Sequence, residues 1–239
     1  MLQNGLFVTL FGENTESASV FALYVGALFL TFIISYLLGS VNSAIVVSRA
    51  LYNEDVRDFG SKNAGLTNVV RTYGKKAAIL TLIGDLLKVG VAVFITGFLF
   101  GFYYNKGICW NEYCYISGFF CMIGHIKPIF YRFKGGKGVL CVAALLLFLA
   151  PAVFGALFLL FVALVALTKF ISLGSIVCAG LMPFAIQGYM EIMSGEGNYH
   201  PIITTVFIFM AIIVIFCHRA NIKRLLHGEE NKFQFRKDK

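Results

Sequence analysis

Seven runs of apolar residues, joined by short polar connections, leave this chain few ways to fold. They span about Val20 to Val47, then Ala77–Phe102, Tyr113–Tyr131, Val139–Ala150, Ala152–Leu167, Ser175–Met193 and Pro201–Cys217. Runs that approach 20 apolar residues read as membrane helices. In lipid every backbone N–H and C=O must find its partner within the protein, which leaves a helical bundle as the solution for segments of this kind. Composition agrees. Of 239 residues, 59% are hydrophobic and only 13% charged, where a soluble domain carries about 25% charged. Mean hydropathy is +0.81. No polar stretch is long enough to bury a core of its own. The expectation is an all-α integral membrane protein, with residues 1–239 forming one polytopic domain of seven transmembrane helices. Several runs are shorter than a full crossing, so tilt or local bilayer thinning is expected. Pro151 marks a tight turn between the fourth and fifth runs, since proline suits a first helical turn. No basic stretch precedes the first run, which reads against a cleaved signal peptide. The tail after about residue 228 is short, charged and expected to be flexible.

Charge gives an orientation. The stretch before Val20 and the 194–200 connection hold no Lys or Arg, and the 103–112 connection holds only Lys106. The alternate connections hold Arg49, Arg57, Lys62, Arg71, Lys75 and Lys76, then Arg132, Lys134 and Lys137, then Lys169. The tail adds Arg219, Lys223, Arg224, Lys232, Arg236, Lys237 and Lys239. Seventeen basic residues thus fall on one side and one on the other. The positive-inside rule places the seventeen in the cytoplasm, with the N-terminus outside and the C-terminus inside. A net charge of +8 could point to nucleic acid. Here the basic residues flank membrane helices, so topology and phosphorylated substrates explain them better.

Six cysteines occur. Cys121, Cys141, Cys178 and Cys217 lie in or beside apolar runs and are expected to pack as small hydrophobes. Cys109 and Cys114 flank the sequence WNEY and could pair if that loop meets an oxidising space.

Four polar clusters fall on the basic side. The first is Gly60-Ser61-Lys62-Asn63-Ala64-Gly65-Leu66-Thr67-Asn68, followed by Arg71. Glycine lets a backbone turn and approach a ligand, and arginine can hold a phosphate by two parallel hydrogen bonds. The same segment also fits a solvated loop with a helix cap at Ser61 or Thr67. The second cluster is Gly124-His125 with Phe133-Lys134-Gly135-Gly136-Lys137-Gly138. Backbone N–H groups and ammonium groups can surround an anion there, although the Walker pattern is not met. A topology-setting turn is the plainer alternative. The third is Ser172-Leu173-Gly174-Ser175, entering the sixth run. Its hydroxyls beside a helix N-terminus suit an anion or an ordinary cap. The fourth is His218-Arg219-Ala220-Asn221-Ile222-Lys223-Arg224, with His218 and Asn221 on one helical face. It also fits a basic stop-transfer flank. Inside the second run, Asp85 and Lys88 are spaced to form a mutual buried pair. Donors and cations dominate these clusters, carboxylates are scarce, and no metal pattern appears. The chemistry is that of holding anions.

At these residues the chain resembles the bacterial acyl-phosphate:glycerol-3-phosphate acyltransferases, the PlsY family. GSKNAGLTNVVRTYGKKA is similar to the family's GSGNxGxTNxxRxxGxKx, and GHIKPIFYRFKGGKGV to its GHxFPxxxxFKGGKGVA. SLGSI resembles its short serine segment, and HRANIKRLLHGEE its HxxNIxRLxxGxE. Three departures stand out: Lys62 where the family usually has Gly, Lys127 where it usually has Phe, and Val89 interrupting the usual LKG after Asp85. The resemblance implies transfer of an acyl group from acyl phosphate to the sn-1 hydroxyl of glycerol 3-phosphate. The products would be lysophosphatidic acid and phosphate, in the first step of membrane phospholipid synthesis. It implies Ser61, Arg71, Lys137, His218 and Asn221 as catalytic residues. Asn63, Thr67, Lys134, Ser172 and Ser175 become substrate contacts, with Lys134 against Lys137 and Ser172 against Ser175 left open. No metal or cofactor and no nucleic acid are expected. The implied setting is a monomer in lipid of the bacterial inner membrane, with its site at the cytoplasmic face.

Two other classes are weaker. A CoA-dependent acyltransferase would show HxxxxD, and none of His125, His200, His218 and His227 is followed by Asp at that spacing. A transporter would place its site near the midplane on broken, repeated helices, and no repeat is visible.

Overall fold

The chain was described by a computed structural model covering residues 5–11, 18–194 and 200–232. Each of the seven apolar runs forms a helix. They are α2 (Ala18–Ser40), α5 (Lys75–Phe100), α6 (Glu112–Ile126), α7 (Val139–Leu149), α8 (Pro151–Thr168), α9 (Ile171–Ser194) and α10 (Pro201–Cys217). Shorter pieces join them: α1 (Gly5–Phe11), α3 (Ser43–Tyr52), α4 (Leu66–Tyr73) and α11 (Arg219–Leu226), with 3₁₀ turns at Val56–Asp58 and Ile129–Tyr131. The strands among the described residues are a two-residue pair, β1 (Tyr104–Asn105) and β2 (Ile108–Cys109), which run antiparallel with Tyr104 opposite Cys109.

Four helical stretches are long and apolar enough to cross a membrane: Ala18–Tyr52, α5, α8 and Ile171–Met193. A fifth is reached if α10 and α11, bent by 57°, count as one span. At 15 and 11 residues, α6 and α7 are shorter than the roughly 20 a crossing needs.

The boundaries have local causes. The first run breaks after Ser40 because the Asn42 side chain accepts from Ile45 N–H at 3.1 Å and starts α3. The third run stops at Ile126 rather than Tyr131, because Pro128 disfavours helix in the residue before it. The sixth starts at Ile171, four residues before Ser175. Lys169, in a left-handed conformation at φ 64°, ends α8, and Thr168 Oγ1 takes the Phe170 N–H. Ser172 therefore lies in the first turn of α9, with Ser175 one turn on.

The interior holds Tyr115, Met122, Leu145, Leu149, Met182, Ile186, Phe207 and Met210, all fully buried. The outward face is equally apolar: Leu159, Leu167, Phe184 and Ile192 are more than 70% exposed. A helix that is apolar all round belongs in lipid. On α8 the described buried residue is Val153. The helices α2 and α6 meet most closely. A Cβ on Gly39 would overlap the Cys121 carbonyl, and one on Gly124 would overlap the Tyr36 carbonyl. Small residues allow this backbone-to-backbone approach. Beside it, the Ser35 and Ser117 hydroxyls bond at 2.9 Å.

Cys109 and Cys114 are free, buried thiols. Residues 195–199, within a connection used to read the topology, lie outside the described residues, as do Arg236, Lys237 and Lys239. The tail folds back through Lys232, and its remainder, where flexibility was expected, also lies outside them.

Candidate active site

The first polar cluster is built around Asn68, which is 1% exposed. Its Oδ1 accepts from Ser61 N–H at 3.0 Å, and its Nδ2 donates to the carbonyls of Val56 and Phe59 at 2.9 and 3.0 Å. Asn42 Nδ2 donates to the Ala64 carbonyl at 3.2 Å. These amides fix the loop, and α4 then begins without a side-chain cap at Gly65. The caps expected at Ser61 or Thr67 are not made, because α4 begins at Leu66 and so puts Gly65, which has no side chain, at the cap position. Ser61, Asn63 and Thr67 face the cavity below.

Lys62 sits at φ 56°, where glycine is unstrained and an L side chain pays a steric cost. The departure from the family pattern thus falls where backbone freedom matters. Lys62→Gly is expected to stabilise the protein by up to about 1 kcal/mol with activity retained. Thermal denaturation and turnover check this, and a loss of turnover would mean that the Lys62 side chain itself takes part.

The second cluster is pinned from two sides. Gly135 N–H donates to the Ile126 carbonyl at 3.2 Å and Gly136 N–H to the His125 carbonyl at 3.0 Å. A Cβ on Gly136 would overlap His125 Nε2, so no larger residue fits. From outside, Arg57 Nη1 donates to the carbonyls of Tyr131 and Lys134 at 3.1 and 3.0 Å. Arg57 is itself clamped by both oxygens of Asp55, at 2.8 and 2.7 Å. That guanidinium holds the Asp55 carboxyl well below the usual carboxylate range.

The consequence is that two lysines three residues apart point different ways. Lys137 turns inward and its ammonium donates to Asn221 Oδ1. Lys134 is exposed and lies away from the cavity lining. Burial pushes the Lys137 ammonium below the ordinary lysine range, with Glu230 opposing that shift and Arg224 adding to it.

The third and fourth clusters meet across α9 and α11. Ser172 Oγ donates to Glu230 Oε1 at 2.9 Å, and Asn221 Nδ2 donates to the same oxygen at 2.7 Å. Arg224 Nε donates to Glu230 Oε2 at 2.7 Å. Burial alone would raise the Glu230 carboxyl, but these donors overcome it and hold the group below its ordinary value. Arg71 Nη2 reaches the carbonyl of the next residue, Asn231, at 3.5 Å. Ser175 Oγ donates back to the Ile171 carbonyl at 2.9 Å. His218 stands at the bend between α10 and α11. Its Nδ1 is 2.8 Å from the Val214 carbonyl, which can only accept, so Nδ1 carries the proton and Nε2 of the neutral ring is an acceptor.

Of the ten residues singled out from the sequence, nine line one cavity of about 590 Å³: Ser61, Asn63, Thr67, Arg71, Lys137, Ser172, Ser175, His218 and Asn221. Lys134 does not. Arg224, Glu230 and His125 line it as well but were not among those ten, although Arg224 and His125 lay within the polar clusters. Arg224 and Glu230 stood inside the recognised C-terminal motif, but an acidic residue is a poor guess for an anion site. Only the fold reveals that Glu230 returns to three donors. The cavity has a second end of opposite character, walled by Leu82 and Leu86 of α5, Val142 and Leu146 of α7, Phe154 and Phe158 of α8 and Met182 of α9.

A helical membrane bundle whose cavity pairs a cationic, donor-rich mouth with an apolar groove is suited to a substrate that is anionic at one end and hydrocarbon at the other. Comparisons with known proteins agree. The family model described as glycerol-3-phosphate acyltransferase matches residues 29–228. The glycerol-3-phosphate acyltransferase of Finegoldia magna is 38% identical over 200 residues, covering 84% of this chain and 93% of that relative. Among solved structures, the glycerol 3-phosphate form of PlsY (YgiH), an integral membrane glycerol 3-phosphate acyltransferase, aligns with a TM-score of 0.74 at 30% identity. Its lysophosphatidic acid form aligns at 0.73 and 28%. Both alignments cover 87% of this chain and 96% of the other. The chain belongs to the glycerol-3-phosphate acyltransferase family, of the PlsY type, and is a multi-pass integral membrane protein.

Proposed function

We propose that this protein transfers an acyl group from acyl phosphate to the sn-1 hydroxyl of glycerol 3-phosphate, releasing lysophosphatidic acid and phosphate. The observation that carries this reading is the two-ended cavity. Its mouth gathers Arg71, Lys137 and Arg224 around a region rich in hydroxyl and amide donors, and its groove is apolar. Both substrates carry phosphates, so cations and donors orient them and offset their charge. The groove takes the acyl chain. In the transfer, the hydroxyl oxygen attacks the acyl carbonyl carbon, the carbonyl oxygen gains negative charge, and the bond to the phosphate oxygen then breaks. Donors near the carbonyl oxygen stabilise that charge. Ser61, Arg71, Lys137, His218 and Asn221 serve the chemistry, while Asn63, Thr67, Ser172 and Ser175 hold substrate.

The hydroxyl proton passes to a phosphate oxygen of the substrate, a reading motivated by the scarcity of carboxylates at the mouth. His218 Nε2, as an acceptor, holds the neighbouring hydroxyl of the glycerol backbone, which leaves the single hydrogen of the attacking hydroxyl to the phosphate. If His218→Ala abolishes the chemical step while both substrates still bind, His218 is the base and the substrate phosphate is not. In this proposal one catalytic unit, residues 1–239, acts as a monomer in the bacterial inner membrane. Seven crossings put the N-terminus outside and the C-terminus and site in the cytoplasm, supported by the distribution of Lys and Arg. A reporter fused after His200 should stay outside.

The test is to offer purified protein acyl phosphate with glycerol 3-phosphate, then acyl-CoA with the same acceptor. Phosphate release and lysophosphatidic acid are expected with the first pair alone. Turnover of acyl-CoA at a similar rate would remove the donor assignment.

A further inference from the structure

We infer that His125 is a substrate contact: a neutral ring whose Nε2–H donates to a phosphoryl oxygen of the substrate beside Lys137 in the cavity. Lys88 and Asp85 are the positioning residues that set its tautomer. The inference rests on the proposed reading of this cavity as a phosphate-handling site.

The argument starts with Lys88. Its ammonium lies 2.7 Å from Asp85 Oδ1, 2.8 Å from His125 Nδ1 and 3.3 Å from the Val41 carbonyl. The Asp85, Lys88 and His125 side chains are 1%, 6% and 4% exposed. An ammonium has three hydrogens and no lone pair. Any group it hydrogen-bonds must accept. His125 Nδ1 is therefore an unprotonated acceptor. The Asp85 carboxylate keeps Lys88 charged, and at 3.8 Å it is too far from Nδ1 to take a proton from it. The single ring proton must then sit on Nε2.

Where Nε2 points gives the role. It lies against Gly136, so closely that a Cβ there would overlap it, and His125 lines the cavity. Among the described residues Nε2 has no hydrogen-bond partner, whereas Nδ1 is fully engaged. A ring nine-tenths buried thus places one unpartnered N–H donor at the cavity wall, beside the loop that carries Lys137. The other charged side chains facing this region are Asp85 and Lys88 from α5 and Lys137 from the loop. The same residue works through its backbone as well, since its carbonyl holds the Gly136 N–H at 3.0 Å. A core histidine with a purely structural task would need that carbonyl and the packing of its ring. It would not need a tautomer fixed by a buried ion pair.

The substitutions that separate the two roles differ in where they put an N–H. Glutamine reaches the position of Nε2 with an amide donor, asparagine only that of Nδ1, and phenylalanine offers none. His125→Phe and His125→Asn are expected to lower kcat/KM by roughly 10–100-fold, the worth of one hydrogen bond to a charged group. His125→Gln should recover most of it. Varying glycerol 3-phosphate at saturating acyl phosphate, and then the reverse, assigns the phosphate touched by the arm in which the loss appears. His125→Gln as impaired as His125→Phe, or His125→Phe as active as the parent, overturns the inference. A second measurement needs no variant. ¹⁵N-histidine NMR of the parent protein should find His125 protonated at Nε2, with that resonance moving on saturation with glycerol 3-phosphate or inorganic phosphate. A ring protonated at Nδ1, or a resonance unmoved by both, also overturns it. Every comparison is made against the parent protein. A parent inactive with acyl phosphate refutes the donor assignment, while a parent active with unchanged variants refutes the role of His125.

Discussion

Lys137→Met is expected to lower turnover by about 10²–10³-fold, the cost of removing one preorganised donor from a site where charge develops. Methionine keeps the length and the packing, so folding should survive. Lys134→Met, three residues earlier, should leave turnover close to that of the parent, because Lys134 is exposed and away from the cavity. The contrast is the informative part. Equal losses in both variants would mean that the loop acts by its net charge, and the inward geometry of Lys137 would then count for little. Release of inorganic phosphate from purified protein, with glycerol 3-phosphate varied, measures both.

Lys88→Met should have the largest effect on stability. Asp85 and Lys88 share one of the most enclosed places in the bundle, and removing the lysine leaves a carboxylate without its counter-charge. Breaking a buried pair in this way costs about 3–5 kcal/mol, which thermal or denaturant unfolding in detergent will register. Lys88→Met combined with Asp85→Leu removes both charges and should regain most of the loss. The double variant should still turn over poorly, since His125 has then lost the group that fixes its tautomer. A single variant as stable as the parent would mean that Asp85 is neutral in the folded protein and that the pair is not ionic. A double variant with full activity would argue against positioning by Lys88.

Much of this molecule was legible in its residues, and the limits have particular causes. All seven apolar runs became helices, because hydrocarbon allows little else. Their ends were less legible. Lys169 and Thr168 start α9 four residues before the serine that seemed to open it, through a left-handed turn that hydropathy does not register. The polar clusters converged on one cavity because their spacing places them at the same end of successive helices. What could not be read was which of two neighbouring groups turns inward. Lys134 and Lys137 are chemically alike, and their difference is imposed by Gly135 and Gly136 hanging from the carbonyls of Ile126 and His125. Glu230 was hidden for a related reason. Its importance comes from a chain reversal that brings it back to Ser172, 58 residues away. The Asp85–Lys88 pair was anticipated, but its third member came from another helix 37 residues on from Lys88.

The glycine contact between α2 and α6 gives the bundle an uneven mechanical character. Where backbones touch at Gly39 and Gly124, no side chains remain to slide or re-pack, so that side of the molecule behaves as a stiff keel. On the other side, α8 has Val153 as its described buried anchor and presents most of its length to lipid. The apolar groove runs between α8 and its neighbours α5, α7 and α9, so the compliant plank forms one of its walls. A hydrocarbon chain arriving sideways from the bilayer would meet that yielding wall first, while the groups proposed to grip phosphate sit apart from it, on α4, α11, the start of α9 and the loop before α7.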